Sequence, residues 1–259
     1  MTRRVRLWIL AVGLLTVAAL YAAACTDLPG FGNSWHPYGD RAVRASLQQH
    51  TANAVSSVNF DQRAFDTLGE ESVLFASVLG TLVLLRQTRG EKRVAPETAR
   101  VPGVLRRYGR LMLPVALLIG LYVIAHGQLS PGGGFQGGVV VATSVHLLYI
   151  AVDYPALERF RRLGVYELAD GAGEAAYVLL GAAGLIAGSA YLANTLPLGT
   201  FNTLSSGGTV PLLNAAVGVE VTSAVVVLLA HFLGQALELE EDGGSAEKGE
   251  REERGEKGA

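Results

Sequence analysis

Pro211 to Phe232 reads PLLNAAVGVEVTSAVVVLLAHF. A helix needs about 20 predominantly apolar residues to cross a hydrocarbon core of ~30 Å. This run has that length, with a single carboxylate, Glu220, well inside it and His231 near its end. A lone strand cannot satisfy its backbone in lipid, and the sequence lacks the repeated alternation of a closed barrel, so the run reads as a membrane helix. Five more runs flank it: Leu7 to Ala24, Leu68 to Leu85, Leu111 to Ala125, Phe135 to Val152 and Ala175 to Ala193. The expected fold is an all-α integral membrane bundle of about six transmembrane helices. The composition agrees, with 50% apolar and 17% charged residues in 259 positions.

Loop charge gives an orientation, because Lys and Arg are retained on the cytoplasmic side. Arg3, Arg4 and Arg6 precede the first run, and Arg86, Arg89, Lys92, Arg93, Arg100, Arg106, Arg107 and Arg110 lie between the second and third. Arg159, Arg161 and Arg162 lie between the fourth and fifth. The opposite side carries only Arg41, Arg44 and Arg63 in one long connection, and none in the turns Gly127 to Gly134 and Asn194 to Val210. Both termini are therefore expected in the cytoplasm. A cleaved signal is a competing reading of the start, where Arg3 to Arg6 and an apolar run lead to Ala22-Ala23-Ala24-Cys25.

Residues 1–90 read as a two-helix module with a long non-cytoplasmic connection, 91–107 as a basic cytoplasmic linker broken by Pro96, Pro102 and Gly103, and 108–236 as a four-helix domain. Residues 237–259 alternate Glu with Lys and Arg among Gly, and read as a disordered cytoplasmic tail. In the long connection, Val43, Leu47, Ala54 and Val58 share a face of an expected amphipathic helix spanning Asp40 to Val58. Cys25 is the only cysteine, which excludes an internal disulfide and a cysteine metal cluster. The net charge of -2 comes from opposing charges in separate segments and leaves no nucleic-acid footprint. No cofactor motif, metal-ligand cluster or nucleophile motif stands out.

Polar residues inside the runs carry what chemistry there is. Glu220 falls near the midplane, and an ionised carboxylate there costs at least ~2.5 kcal/mol, so it calls for a partner helix, a wet cavity or an ion. Glu220, Ser223, Val227 and His231 share one side of their helix, as do Gln136, Thr143 and His146 of theirs; His126 ends the third run. These histidines suit proton relay, and equally suit polar helix contacts. Thr67-Leu68-Gly69-Glu70 fits a capping box, with Asp66 as an alternative cap. Glu71 is expected to face water near the outer end of its helix. Glu174 is expected at the cytoplasmic start of the fifth helix, stabilised by the helix dipole. Gly181, Gly184 and Gly188 read as packing residues.

Ser130 to Gly138 reads SPGGGFQGG, with Pro131, Gly132, Gly133, Gly134 and Phe135 forming a turn before the fourth helix. Gln136 and Gly137 stand where a phosphate loop needs Lys and Ser or Thr. The wider stretch HGQLSPGGGFQGGVVVA, His126 to Ala142, resembles the defining motif of the B subunit of Mrp-type multisubunit sodium/proton antiporters, the MnhB family. LPLGTFNTLSSGGTVPLLNAAVGVEV, Leu196 to Val221 with Gly207 and Gly208, resembles that family's C-terminal signature. Together they cover about Gly109 to Gly234. Phe65 to Leu74, FDTLGEESVL, is similar to the end of the family's A subunit and to the E-type subunit of membrane-bound hydrogenases, except at Glu71.

The resemblance implies a membrane subunit of a sodium/proton antiporter in the cell membrane, working with other antiporter-complex membrane subunits on Na+ and H+ and needing no cofactor. It also implies that Glu70 matches an acidic residue on a cation route. The same module within a redox-driven ion pump is the alternative, and a stand-alone membrane enzyme is the reading the sequence least supports.

Overall fold

The structure, a computed structural model, describes residues 2–28, 36–86, 101–151 and 162–232. The core of the expected linker with Pro96, the arginines 159 and 161, and the expected tail lie outside the described residues. Among the described residues every regular element is helical, and the chain divides into two compact units, Met1–Arg41 and Ala42–Ala259. The first unit holds helix α1, Arg3–Thr26, none of whose residues is buried. Helix α2, Pro37–Gln48, runs across the division.

The second unit continues with α3, Ala54–Ser57, a π-helical turn at Val58–Gln62, and α4, Ala64–Leu84. Then follow α5, Gly103–Ala125, α6, Gly134–Ala151, α7, Leu163–Ile186, and α8, Val210–Phe232. The helices α1, α4, α5 and α8 are long and apolar enough to cross a membrane. Helix α6 is an apolar helix of 18 residues, and α7 has 24 residues with Glu167, Asp170 and Glu174 among them. The expected membrane helical bundle is therefore the observed fold.

Three connections interlock at one end of the second unit. The Asn53 amide donates to the Gly127 and Ser130 carbonyls, both at 2.8 Å, and the Gln128 amide donates to Leu204 O at 2.9 Å. His50 Nδ1 lies 2.8 Å from Gly199 O. At the opposite end Arg110 Nε donates to Ala151 O at 3.2 Å, joining the start of α5 to the end of α6. The glycine-rich turn and the 187–209 loop thus share one end, and the start of α5 and the end of α6 share the other.

Asn214 on α8 ties the loop end together. It is fully buried; its Oδ1 accepts from Gly134 N at 3.0 Å, and its Nδ2 donates to Ser56 Oγ and Val210 O at 3.1 Å each. One of the free N–H groups at the start of α6 is thereby satisfied from another helix. Gly133, at φ +138°, is needed there: a Cβ would stand 2.6 Å from Asn214 Oδ1. The triple glycine is a device for close approach.

Several expectations change. The fifth helix begins at Leu163 and ends at Ile186, displaced towards the N-terminus from the expected Ala175 to Ala193. The acidic residues that break its apolar run are inside the helix, two of them facing inward. Gly181 and Gly184 are buried packing positions, but Gly188 lies beyond the helix end at φ +78° with nothing near it. The expected amphipathic helix stops at Gln48, where His50 adopts φ +54°; Val43 and Leu47 are exposed, while Ala42 and Ser46 are the buried positions. No capping box forms at α4, because the helix starts at Ala64, and Thr67 Oγ1 instead donates to Asn59 O at 2.8 Å. Asp66 sits in the first turn and pairs with Arg63.

Candidate functional site

Helices α4, α7 and α8 each bring one glutamate to a common point. One carboxylate oxygen from each of Glu71, Glu174 and Glu220 lies within 4.8 Å of the others. At ~1.5 Å per residue, Glu220 is ~15 Å from the start of α8, Glu71 ~10 Å from the start of α4, and Glu174 near the middle of α7. The group therefore sits at membrane depth. Glu71 and Glu220 are 0% exposed with their carboxyls side by side, close enough to share a hydrogen bond when one is protonated, and among the described residues no other group bonds to their four oxygens. Glu174 is held by Ser72, whose hydroxyl donates to Oε1 at 2.9 Å, and its Oε2 is buried without a partner. One turn earlier on α7, Asp170 is 2% exposed with Oδ1 likewise unpartnered.

Local sequence explains the convergence. Gly173 lies against Glu220 so closely that a Cβ would stand 2.7 Å from the Glu220 Cβ and 2.9 Å from its N. The missing side chain lets α7 approach α8 at the level of the carboxylates. Along each helix the glutamate is flanked by apolar clusters. One joins Phe60, Ala64, Tyr177, Leu213 and Val217 towards the loop end, and the other joins Val78, Ala224 and Val227 with Tyr166 beyond. Tyr177, fully buried, donates its hydroxyl to Ala64 O at 3.0 Å and fixes α7 to the start of α4.

Electrostatically the group is one-sided. Among the described residues the charged neighbours of Glu71 and Glu220 are all acidic. Carboxylates side by side and away from water repel unless a proton or a cation lies among them. A polar cleft of about 190 Å³, lined by Val58, Asn59, Arg63, Asp66, Thr67 and Glu70, opens beside the start of α4. Thr67, in its wall, is one helical turn from Glu71. Nearby in the π-helical turn, burial pushes the Asp61 carboxyl above its ordinary value, and a hydrogen bond with the Asn194 side chain partly offsets this.

Of the residues expected from sequence to line an ion path, only Glu220 joins this group. Glu71 does not face water and Glu174 does not end a helix; both are walls of the site. The fold builds an all-carboxylate cluster where sequence showed no ligand cluster. Glu70 is exposed and lines the cleft. Gln136 and Thr143 are exposed and His146 is half-buried on α6. His126 is half-buried, stacks on Tyr122 with centroids 3.9 Å apart and has Nδ1 3.0 Å from Tyr122 O. His231 is half-buried with Nδ1 2.9 Å from Val227 O. Pro131 is exposed, Phe135 packs on the loop-end cluster, and Gly132, Gly207 and Gly208 hold positive φ in the interlocked turns. Sequence reasoning missed Asp170 and the inward face of α7; the i, i+4 spacing of Asp170 and Glu174 around small residues was the available signal.

Residues 104–227 match a family model described as a domain related to the MnhB subunit of Na+/H+ antiporters. An uncharacterized protein of Methanocaldococcus jannaschii is 30% identical over 202 residues, covering 67% of this chain and 74% of the relative. The chain belongs to the MnhB-related family. The B subunit of a Na+/H+ antiporter of Bacillus subtilis is 30% identical over 92 residues, 36% of this chain and 64% of the relative, a little under two thirds. Among solved structures, a chain of the archaeal membrane-bound sulfane sulfur reductase, a respiratory membrane complex, is 28% identical with a TM-score of 0.68, covering 88% of this chain and 98% of that one. A chain of the Mrp complex of Dietzia sp. DQ12-45-1b shares the fold, at TM-score 0.66 and 24% identity, over 89% of this chain and 26% of that one. The MnhB-related domain supplies Glu174 and Glu220, while Glu71 comes from α4, ahead of it.

Proposed function

We propose that this chain is a membrane subunit of a multisubunit cation/proton antiporter, exchanging Na+ for H+ across the cell membrane together with other membrane subunits. The observation that carries the reading is the buried glutamate cluster at membrane depth in a chain of the MnhB-related family. Charged groups so placed are costly, and ion or proton pathways are the usual reason for keeping them. In this reading Glu220 and Glu71 belong to the ion path and Glu70 to its mouth, with His126, His146, His231 and Gln136 as outlying polar positions. The arginine-rich end faces the cytoplasm, and the interlocked loops face outward. The chain acts as a transport subunit and not as a stand-alone enzyme.

The acidic cluster found among the described residues offers too little for two coupled ion paths, so partner subunits complete the machine. Full exchange by this chain alone in vesicles would reject that requirement. A second reading, the same module within a redox-driven ion-pumping complex, is favoured by the match to nearly the whole of a respiratory-complex chain. Copurification from native membranes separates the two. Antiporter-type membrane subunits alone support exchange, whereas accompanying iron–sulfur subunits support the redox-driven complex.

A further inference from the structure

We infer that Glu71, Glu174 and Glu220 form a binding site for one partly dehydrated sodium ion between α4, α7 and α8. The inference rests on the antiporter reading for the choice of a monovalent ion; the site itself rests on geometry. Three oxygens no more than 4.8 Å apart have a common point within about 2.8 Å of each, and small side-chain adjustments bring this to the ~2.3–2.6 Å at which hard cations of this size hold oxygen ligands. Oxygen is the ligand type such ions take; one sodium neutralises one carboxylate, so the other carboxyls at the site carry protons and offer their carbonyl oxygens.

The second observation is the state of the oxygens. A mutually protonated pair would account for Glu71 and Glu220 alone. It leaves unexplained why Ser72 holds Glu174 at the same point, with Oε2 buried and without a hydrogen-bond partner. Nor does it account for Asp170, 2% exposed one turn away on the same helix, whose Oδ1 has no hydrogen-bond partner among the described residues. Asp170 is too far to be counted with the three ligands, and its place suits a water bound to the ion. The Gly173–Glu220 approach then serves to set the ligand spacing, since it fixes α7 on α8 at this level. The site is complete within this chain only because α4 supplies Glu71 from outside the MnhB-related domain.

The test is binding of radioactive sodium, at one fixed pH, to the purified complex in lipid nanodiscs. Subunit composition and elution position serve as the check on assembly. Wild type is expected to show a saturable sodium site that Glu71→Gln, Glu174→Gln and Glu220→Gln each weaken at least about tenfold, the scale seen when groups supporting a bound metal are removed. Glu167→Gln, exposed on the same helix, is the control and is expected to bind as wild type does. Equal sodium binding by wild type and all three correctly assembled cluster variants would overturn the inference. So would calcium occupying these residues where sodium does not. Sodium/proton exchange in vesicles is read separately: intact exchange with unchanged binding in the variants refutes the site alone, whereas no exchange by wild type refutes the antiporter reading and leaves the binding result to decide the site.

Discussion

Replacing Gly173 by alanine adds one methyl group at the closest point between α7 and α8. The new Cβ would stand 2.7 Å from the Glu220 Cβ, 2.9 Å from its N and 3.0 Å from Ala216 O. Carbon atoms rest at ~3.5–4.0 Å, so the helices must part by about 1 Å. Overpacking of that kind costs ~1–3 kcal/mol, against which alanine recovers ~0.5–1 kcal/mol of helix preference over glycine. Gly171→Ala is the internal control, because its Cβ would meet only Phe75 Cε2 at 3.8 Å, an ordinary contact. The net expectation is a loss of about 1–2 kcal/mol for Gly173→Ala and no loss for Gly171→Ala. For a chain of this size that is a fall of ~2–8 °C in the denaturation midpoint, measured on nanodisc samples under one heating protocol. Exchange should fall as well in Gly173→Ala, since Glu220 moves relative to Glu174. Equal midpoints and equal exchange in the two variants would refute the close-packing argument.

Asn214→Ala removes two donated bonds and leaves Gly134 N without its acceptor, so a loss of about 2–5 kcal/mol is expected in thermal denaturation. Tyr177→Phe removes the bond to Ala64 O and the hydroxyl that meets Thr67; about 1–2 kcal/mol of stability should go, with exchange retained. Asp61→Asn is expected to raise the denaturation midpoint at neutral pH. The folded carboxyl is held above its ordinary value by burial, so the stability it contributes is full below ~4 and is lost as pH rises through the raised value; the difference between variant and wild type should vanish in acid.

Sequence made the helices legible because membrane thickness sets their length and loop arginines set their alternation. Glu220 was legible for the same reason, as one carboxylate in an otherwise apolar run. The same rule misplaces α7: Asp170 and Glu174 interrupt its hydropathy, so the apolar run reads on past them into the loop beyond Ile186. They are tolerated at membrane depth because they face other helices, which a window average cannot register. Glu71 follows Glu70 in sequence, and the water-facing role expected of it belongs in the structure to Glu70. One residue rotates a helix by about 100°, so which of two adjacent glutamates points inward is decided by the partner helices. The triple glycine reads from sequence as a turn, and its close approach to Asn214 is what the structure adds. Nothing in spacing alone paired Gly134 with a residue 80 positions away.

The most direct measurement is sodium-driven proton movement in inverted vesicles containing the assembled complex, compared between wild type, Glu71→Gln, Glu220→Gln and the double variant. If the buried cluster serves ion transfer, each single variant should lose most of the exchange, the double should lose little more, and subunit assembly should be unchanged. Wild-type exchange in all three assembled variants would contradict that role and leave the cluster a packing feature of the bundle.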